Sequence, residues 1–373
     1  MSQDISRNRR RFIAAGGGAL VGAAAVASSS LSTPAIAQDV RELNMVTSWP
    51  KGAPGVGVNA ERFARRLERL SGGRLVVRFF GAGELVPPFE VLDAVSGGTA
   101  DLAHSSPYYW AGSSQALHFF TGIPFGLTAT ECAAWLEFGG GQALWDEVYA
   151  PFGVKAFYAG SSGTQFGGWF NKEINSLDDL HGLRFRIAGL GGEVMRRLGV
   201  SPVMTPPGEI PVALASGAVD AVEWIGPWND MAFGLERMAR YYYAPGVMEP
   251  GPGLEIMINQ STWDSLPEDL QEAVRSAAHA TAYETYADFI YHNTESFADM
   301  LAETDVEMRS FPDDVNEAIA RELENVLDGF SAEDEVFARV RESHDAFLRK
   351  SLAYSPQAEG GVLQARAKTL GRG

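Results

Sequence analysis

From Glu42 onward the period of apolar and polar positions along the chain switches repeatedly. Leu43–Val46 is a short apolar run that predicts a strand. Over Asn59–Leu70, the apolar positions Ala60, Phe63, Ala64, Leu67 and Leu70 recur every three or four residues with charges between them. That spacing predicts a helix with one buried face. Leu75–Phe80 predicts a strand, Phe89–Val95 a helix, Asp101–His104 a strand and Thr130–Tyr149 one longer helix. Alternation of this kind predicts an α/β fold, with parallel sheets covered by helices.

After Pro151 the pattern starts again. Val154–Ala159, Phe166–Phe170 and Leu183–Ile187 predict strands, and Gly192–Leu198 and Ile210–Ala215 predict helices. Ser176-x-x-Asp179 has the form of a capping box. Ser265-x-x-Glu268 is expected to cap a very long helix running to about Glu303, with Leu270, Ala273, Ala277, Tyr286, Ile290, Asn293, Phe297 and Met300 or Leu301 near one face. At about 1.5 Å per residue such a helix outruns one small lobe and is expected to cross between two. A last stripe (Val336, Phe337, Val340, Phe347, Leu348, Leu352) lies in Glu333–Ser355. It must be buried somewhere, on its own lobe or on a neighbour, because an isolated amphipathic helix is marginal in water.

Two stretches echo each other. "AVSGGTADLAHSSPYYW" (Ala94–Trp110) and "ALASGAVDAVEWIGPWN" (Ala213–Asn229) each run from a helix end through Gly and Asp into a strand, then to Pro and aromatic residues. Two lobes of one design would each carry such a unit. Ligands of open α/β sheets sit beyond the carboxyl ends of the strands. The ends of "DLAHSSPYYW" and "DAVEW" are therefore expected to face one cleft.

The first 37 residues differ in composition. Arg9-Arg10-Arg11-Phe12-Ile13 is a twin-arginine pattern, Ala14–Ala27 is small and Gly/Ala-rich, and Ala35-Ile36-Ala37 is an A-x-A cleavage site. This predicts an export signal over 1–37 and a mature domain over 38–373 outside the cytoplasm. The full chain carries a net charge of −17. Removing the basic signal makes it about −20, which argues against nucleic acid or an anionic lipid surface as partner. Cys132 is the single cysteine, so neither an internal disulfide nor a cysteine-rich metal site is expected.

Enzyme motifs fail at particular positions. Gly189-Leu190-Gly191-Gly192 has Val194 where a dinucleotide loop needs its last Gly. Ser162 lacks the final Gly of a nucleophile elbow. The six histidines have no ligand spacing.

Other residues suit ligand binding. Arg184 and Arg186 alternate with Leu183, Phe185 and Ile187, so both share the polar face of one strand. Arg186 is nearer the strand's end, where an arginine grips a planar carboxylate with two parallel N–H bonds, or pairs with a surface acid. Glu223 and Glu249 are the acids nearest the expected cleft. They suit a hard cation such as Na⁺ or Ca²⁺, or simple solvation in loops. Tyr108, Tyr109, Trp169, Trp224 and Trp228 fit the wall of a small-molecule site or the core equally well.

Taken together, these stretches resemble the extracytoplasmic solute-binding proteins of tripartite ATP-independent periplasmic (TRAP) transporters. The branch resembled binds 2-oxo acids or lactate with a cation. The resemblance rests on "NMVTSWPKG", "GELVPPFEVLDAVSGGTADLAHSSPYYW", "GTQFGGWFNKEINSLDDLHGLRFRIAGLGGEVMRRLG", "ALASGAVDAVEWIGPWND" and "GVMEPGPGLEIMINQSTWDSLPEDLQEAV". It implies a two-lobed periplasmic-binding-protein-like fold with a long helix crossing both lobes. Lobe 1 would take roughly 38–155 plus a later crossing segment, and lobe 2 roughly 156–260 plus C-terminal helices. It implies that Arg186 holds the substrate carboxylate. Gln165, Glu223, the Trp224 carbonyl and Glu249 would surround a metal cation (Na or Ca), with Tyr108 or Tyr109 touching the ligand from the other lobe. The implied function is periplasmic capture of a small 2-oxo or 2-hydroxy monocarboxylate (pyruvate, 2-oxobutyrate or lactate) for a TRAP membrane permease, without catalysis. A homodimer through a C-terminal helix is implied as well. The rivals are a TRAP protein for a C4-dicarboxylate or sugar acid, an exported α/β enzyme acting on a small carboxylic acid, and a ligand-binding protein that signals to a membrane receptor.

Overall fold

The computed structural model describes residues 40–371; the expected export signal, residues 1–37, lies outside them. Eleven strands follow in order: β1 (Arg41–Thr47), β2 (Leu75–Phe80), β3 (Leu102–Ser105), β4 (Val154–Ser161), β5 (Gly168–Phe170), β6 (Arg184–Arg186), β7 (Ser201–Val203), β8 (Ala221–Val222), β9 (Tyr241–Tyr243), β10 (Gly253–Asn259) and β11 (Glu307–Arg309). They form two sheets, ordered β2-β1-β3-β10-β4 and β11-β9-β5-β8-β6-β7. In the first, β1 pairs in parallel with β2 and β3, and β10 runs antiparallel between β3 and β4. In the second, β5 runs against β8 and β9 while the other pairs are parallel.

The chain passes between the sheets three times: from β4 to β5, from β9 to β10, and along the helix Glu268–Glu303 to β11. Residues 156–260 therefore divide. Their outer strands β4 and β10 extend the first sheet, and β5–β9 build most of the second. Every residue of β10 is buried, Glu255 and Asn259 included, as befits a strand paired on both sides.

The echoed stretches make the same device twice. Asp101 precedes β3, donates its N–H to Asn44 O at 2.9 Å and accepts Asn44 N–H on its carboxylate at 2.9 Å. Asp220 precedes β8 and does the same with Arg184, at 2.7 and 2.9 Å. In each lobe an aspartate thus locks the strand to its parallel neighbour. Gly98 and Gly217 before it take φ of 75° and 71°, conformations that favour glycine.

Several local expectations need correction. Thr130–Tyr149 is two helices, Ala129–Phe138 and Gly141–Tyr149, because Gly140 takes φ 88° and ends the run. Ser265 closes the short helix Gln260–Ser265, and Pro267 caps the long one. The long helix buries Leu270, Ala273, Val274, Ala277, Thr281, Thr285, Phe289 and Met300, whereas Ile290 and Leu301 point outward. Its contact with β4 is made through small residues. A Cβ on Gly160 would meet Ala282 O and Thr285 Cβ at 2.7 Å, so close backbone approach replaces the apolar signal there.

The helix Glu335–Tyr354 carries the last stripe home. Asp334 caps it by accepting N–H from Val336 and Phe337. Phe337 packs on Phe119 and Phe330 at ring distances of 5.0 and 5.5 Å, Val340 is fully buried, and Trp135 Nε1 donates to Ser343 Oγ at 3.1 Å. Phe347 and Leu348 pack against the same core. The expectation that this segment is free to reach a neighbour is thereby corrected: apart from Leu352, which is 64% exposed, its apolar stripe finds partners within the chain.

One buried carboxylate bears on stability. Glu255 in β10 is fully buried and accepts only from neutral donors, Tyr149 Oη at 2.8 Å and Trp110 Nε1 at 3.1 Å. Burial raises its pKa from 4.5 to about 8. A value raised on folding gives stability that is complete below the unfolded value and lost as pH rises through the folded one. Glu255→Gln should therefore match the wild type near pH 4.5 and gain on it steadily up to about pH 8, by a few kcal/mol, in urea melts run across that range.

Candidate functional site

The carboxyl ends of β3, β6 and β8 meet at one cleft. Along β6 the side chains part: Arg184 turns outward and pairs with Asp220, and Arg186 is completely buried. Nη1 of Arg186 donates to Glu223 O at 2.5 Å and lies 3.7 Å from Glu223 Oε2. Its guanidinium sits 5.2 Å over the Trp224 ring. Its Nε and Nη2 are buried with no partner. Glu223 directly follows β8, and its N–H bonds to Arg186 O at 2.8 Å, continuing the β6–β8 ladder.

The two crossing connections bring in the next residues. Gln165, between β4 and β5, donates its N–H to Glu249 O at 3.1 Å, and Gly246 N–H donates to Gln165 O at 3.0 Å. A Cβ at Gly246 would stand 2.5 Å from that oxygen, so glycine is what lets the connections touch. Gln165 Nε2 donates to Ser162 Oγ at 3.0 Å, which leaves Oε1 as its open end. From the first lobe, the turn Pro107–Trp110 presents Tyr108 and Tyr109 with ring centres 4.8 Å apart. The Gly189 Cα lies close enough that a Cβ there would sit 3.6 Å from Tyr108 and 3.7 Å from Glu249 Oε1.

The unsatisfied atoms are the main feature. Buried polar groups nearly always have partners. Here Glu223 Oε1, Glu249 Oε2 and Gln165 Oε1 are buried acceptors without a donor, and Arg186 Nε and Nη2, Tyr109 Oη and Trp224 Nε1 are buried donors without an acceptor. Burial raises the Glu223 pKa well above its ordinary range, with Glu249 adding to it and Arg186 opposing. Burial also raises Glu249 to about 8, again opposed by Arg186. Two buried carboxylates beside an open amide oxygen are hard oxygen donors of the kind that hold Na⁺ or Ca²⁺. An arginine with two free N–H groups is the complement of a carboxylate. The residues present thus fit a cation and a carboxylate side by side.

The seven residues singled out for the site (Tyr108, Tyr109, Gln165, Arg186, Glu223, Trp224 and Glu249) all converge here. Trp169 and Trp228 do not line it. Trp169 is fully buried and stacks on Tyr242 at 3.9 Å, and Trp228 stacks on His292 of the long helix at 4.3 Å. Trp49, Ser162 and Leu254 line the cleft and escaped the sequence reading. Trp49 follows β1, so the strand-end rule applied to a third strand would have found it. Ser162 and Leu254 carry no signal of their own.

The family model for bacterial extracellular solute-binding proteins, family 7, matches residues 45–334. A monocarboxylate 2-oxoacid-binding periplasmic protein of a Nostoc strain is 42% identical over 311 residues, covering 83% of this chain and 85% of that protein. A TRAP transporter solute-binding protein of Bordetella bronchiseptica, solved as a mixed-occupancy dimer with calcium and picolinate in one site, superposes with a TM-score of 0.87. It is 33% identical, over 89% of this chain and 99% of that one. A TRAP periplasmic solute-binding protein of Colwellia psychrerythraea, solved with calcium and pyruvate, gives a TM-score of 0.85 at 35% identity, over 87% and 99% of the two chains. The chain belongs to the family 7 solute-binding proteins of TRAP transporters.

Proposed function

We propose that this family 7 solute-binding protein captures a small 2-oxo or 2-hydroxy monocarboxylate, together with a calcium or sodium ion, and delivers it to a TRAP membrane permease. The observation that carries this reading is the pair of unpartnered sets in one cleft, the Arg186 fork beside the oxygens of Glu223, Glu249 and Gln165. Arg186 Nε and Nη2 would hold the ligand's carboxylate. Glu223, Glu249, Gln165 and the main-chain carbonyl of Trp224 would surround the cation, and the ligand's carboxylate and 2-oxygen would complete its shell. Tyr108 and Tyr109 would close on the ligand from the first lobe. The cation supplies the positive charge that offsets two buried carboxylates. The calcium and pyruvate of the Colwellia protein and the 2-oxoacid in the name of the Nostoc relative support this choice of ligand.

Chain length follows from the walls. Beyond the polar end the cleft is lined by Trp49, Val56, Ile225, Pro252 and Leu254. A second carboxylate of a C4-dicarboxylate would lie against those apolar groups at a large desolvation cost. The protein, exported by the twin-arginine route to the periplasm, binds the ligand and releases it unchanged. Mass spectrometry of ligand released from purified protein, with metal analysis of the same sample, tests the reading. Pyruvate, 2-oxobutyrate or lactate with near-equimolar calcium or sodium is expected; a dicarboxylate, a sugar acid or a turnover product overturns it.

The same reading includes a homodimer. The last helix, Glu359–Leu370, buries none of its residues, and Val362 and Leu370 are 64% and 76% exposed. This helix, rather than Glu335–Tyr354, is the segment offered to a second copy. Light scattering should give a dimer for the full mature chain and a monomer for a variant ending at Ser355.

A further inference from the structure

Asp230 does not face the cation site; it reaches the site's Glu223–Gly226 segment through hydrogen bonds, and its charge acts on Glu223 as well. It is completely buried in the helix Pro227–Ala232. Its Oδ1 accepts the N–H groups of Ile225 and Gly226 at 3.3 and 3.2 Å. Its Oδ2 accepts Trp169 Nε1 at 2.8 Å and Tyr242 Oη at 2.7 Å. Trp169 and Tyr242 stand opposite each other on β5 and β9, and their rings stack at 3.9 Å. One carboxylate thus ties the segment after β8 to two inner strands of the second sheet.

That segment is Glu223-Trp224-Ile225-Gly226. β8 ends at Val222, so sheet hydrogen bonds hold it only at its start. Further along, Phe166 N–H donates to Ile225 O at 3.0 Å, and Asp230 takes the two N–H groups that follow Trp224. We infer that Asp230 is a positioning residue for the cation site, holding the Glu223–Gly226 segment so that the Glu223 carboxylate and the Trp224 carbonyl stand at fixed places. The inference rests on the proposed cation reading.

Four donors require four acceptor positions, which an ionised carboxylate supplies. An asparagine has one acceptor oxygen, and its amide would oppose either the two backbone N–H groups or the Trp169 indole. Partners of this kind behind a metal ligand affect the metal more than the ligand held elsewhere, and their loss costs about 10–100-fold in metal affinity. Arg186, which would hold the carboxylate, has no bond to Asp230 and touches the segment only at its first residue, through Glu223 O.

The test is titration calorimetry of pyruvate into the wild type, Asp230→Asn and Tyr242→Phe. The titration is repeated over a series of calcium or sodium concentrations, using whichever ion the wild type responds to. Asp230→Asn should need at least about tenfold more cation for half-maximal pyruvate binding, with pyruvate affinity at saturating cation within about threefold of wild type. Tyr242→Phe removes one donor, keeps the carboxylate, and should shift the cation requirement the same way by less; it decides the matter if Asp230→Asn does not fold. An unchanged cation requirement in folded variants overturns the inference, as does an equal loss at saturating cation, which marks general damage. A wild type whose pyruvate binding ignores both cations overturns the cation reading itself.

Discussion

Arg186→Lys lowers the affinity for a 2-oxo monocarboxylate by about 30-fold or more, close to 2 kcal/mol, when measured by titration calorimetry at saturating cation. Arg186 is completely buried, and one of its nitrogens is committed to Glu223 O. The other two are free and form a planar fork that meets both oxygens of a carboxylate. A lysine ammonium is a point charge on a flexible stem and makes no such parallel pair. The substitution also withdraws the guanidinium from Glu223 and Glu249, whose pKa values it now opposes raising. Both effects act in one direction. Wild-type affinity in the folded variant would remove Arg186 as the anchor.

The second large effect separates function from stability. In metal-free protein, checked by elemental analysis, pyruvate binding should weaken at least tenfold, about 1.4 kcal/mol, and recover when calcium or sodium is restored. Glu223→Gln should abolish most of that cation response. It should also raise the unfolding free energy of the metal-free protein, read from chemical denaturation, by about 1 kcal/mol or more, because it replaces a buried carboxylate that has an unpartnered oxygen by a neutral amide. A gain in stability with a loss of binding is what a site kept unsatisfied for a ligand predicts. A variant that loses stability and keeps its cation response would contradict the role given to Glu223.

Part of the site was legible because strand ends can be read in a sequence. "DAVEWIGPWND" announces a strand by its apolar run and a cleft by the acid that ends it. The alternation in "LRFRI" puts an arginine at the end of β6. Glu249 was picked out only as an acid near the expected cleft, and Gln165 was reached through family resemblance, since loop residues have no period. Asp230 and Ser162 had no signal at all. Their importance lies in bonds to Trp169, Tyr242 and Gln165, none of which follows from local pattern.

The sequence by itself determined the alternation of strands and helices, the two echoed units, the long helix and the glutamate and arginine at strand ends. These depend on periodicity, on glycine's freedom at positive φ and on short-range hydrogen bonding, all of which act over a few neighbouring residues. Only the tertiary structure decided that β4 and β10 complete the first sheet, that Phe337 and Val340 pack against residues 115–149 of the first lobe rather than with the second, and that the helix of Glu359–Leu370 is the one left uncovered. It also decided which of five aromatics line the cleft and which are core. Those outcomes depend on contacts between residues far apart in the chain. An apolar side chain reads the same in sequence whether the surface that buries it is a sheet, a helix or a ligand.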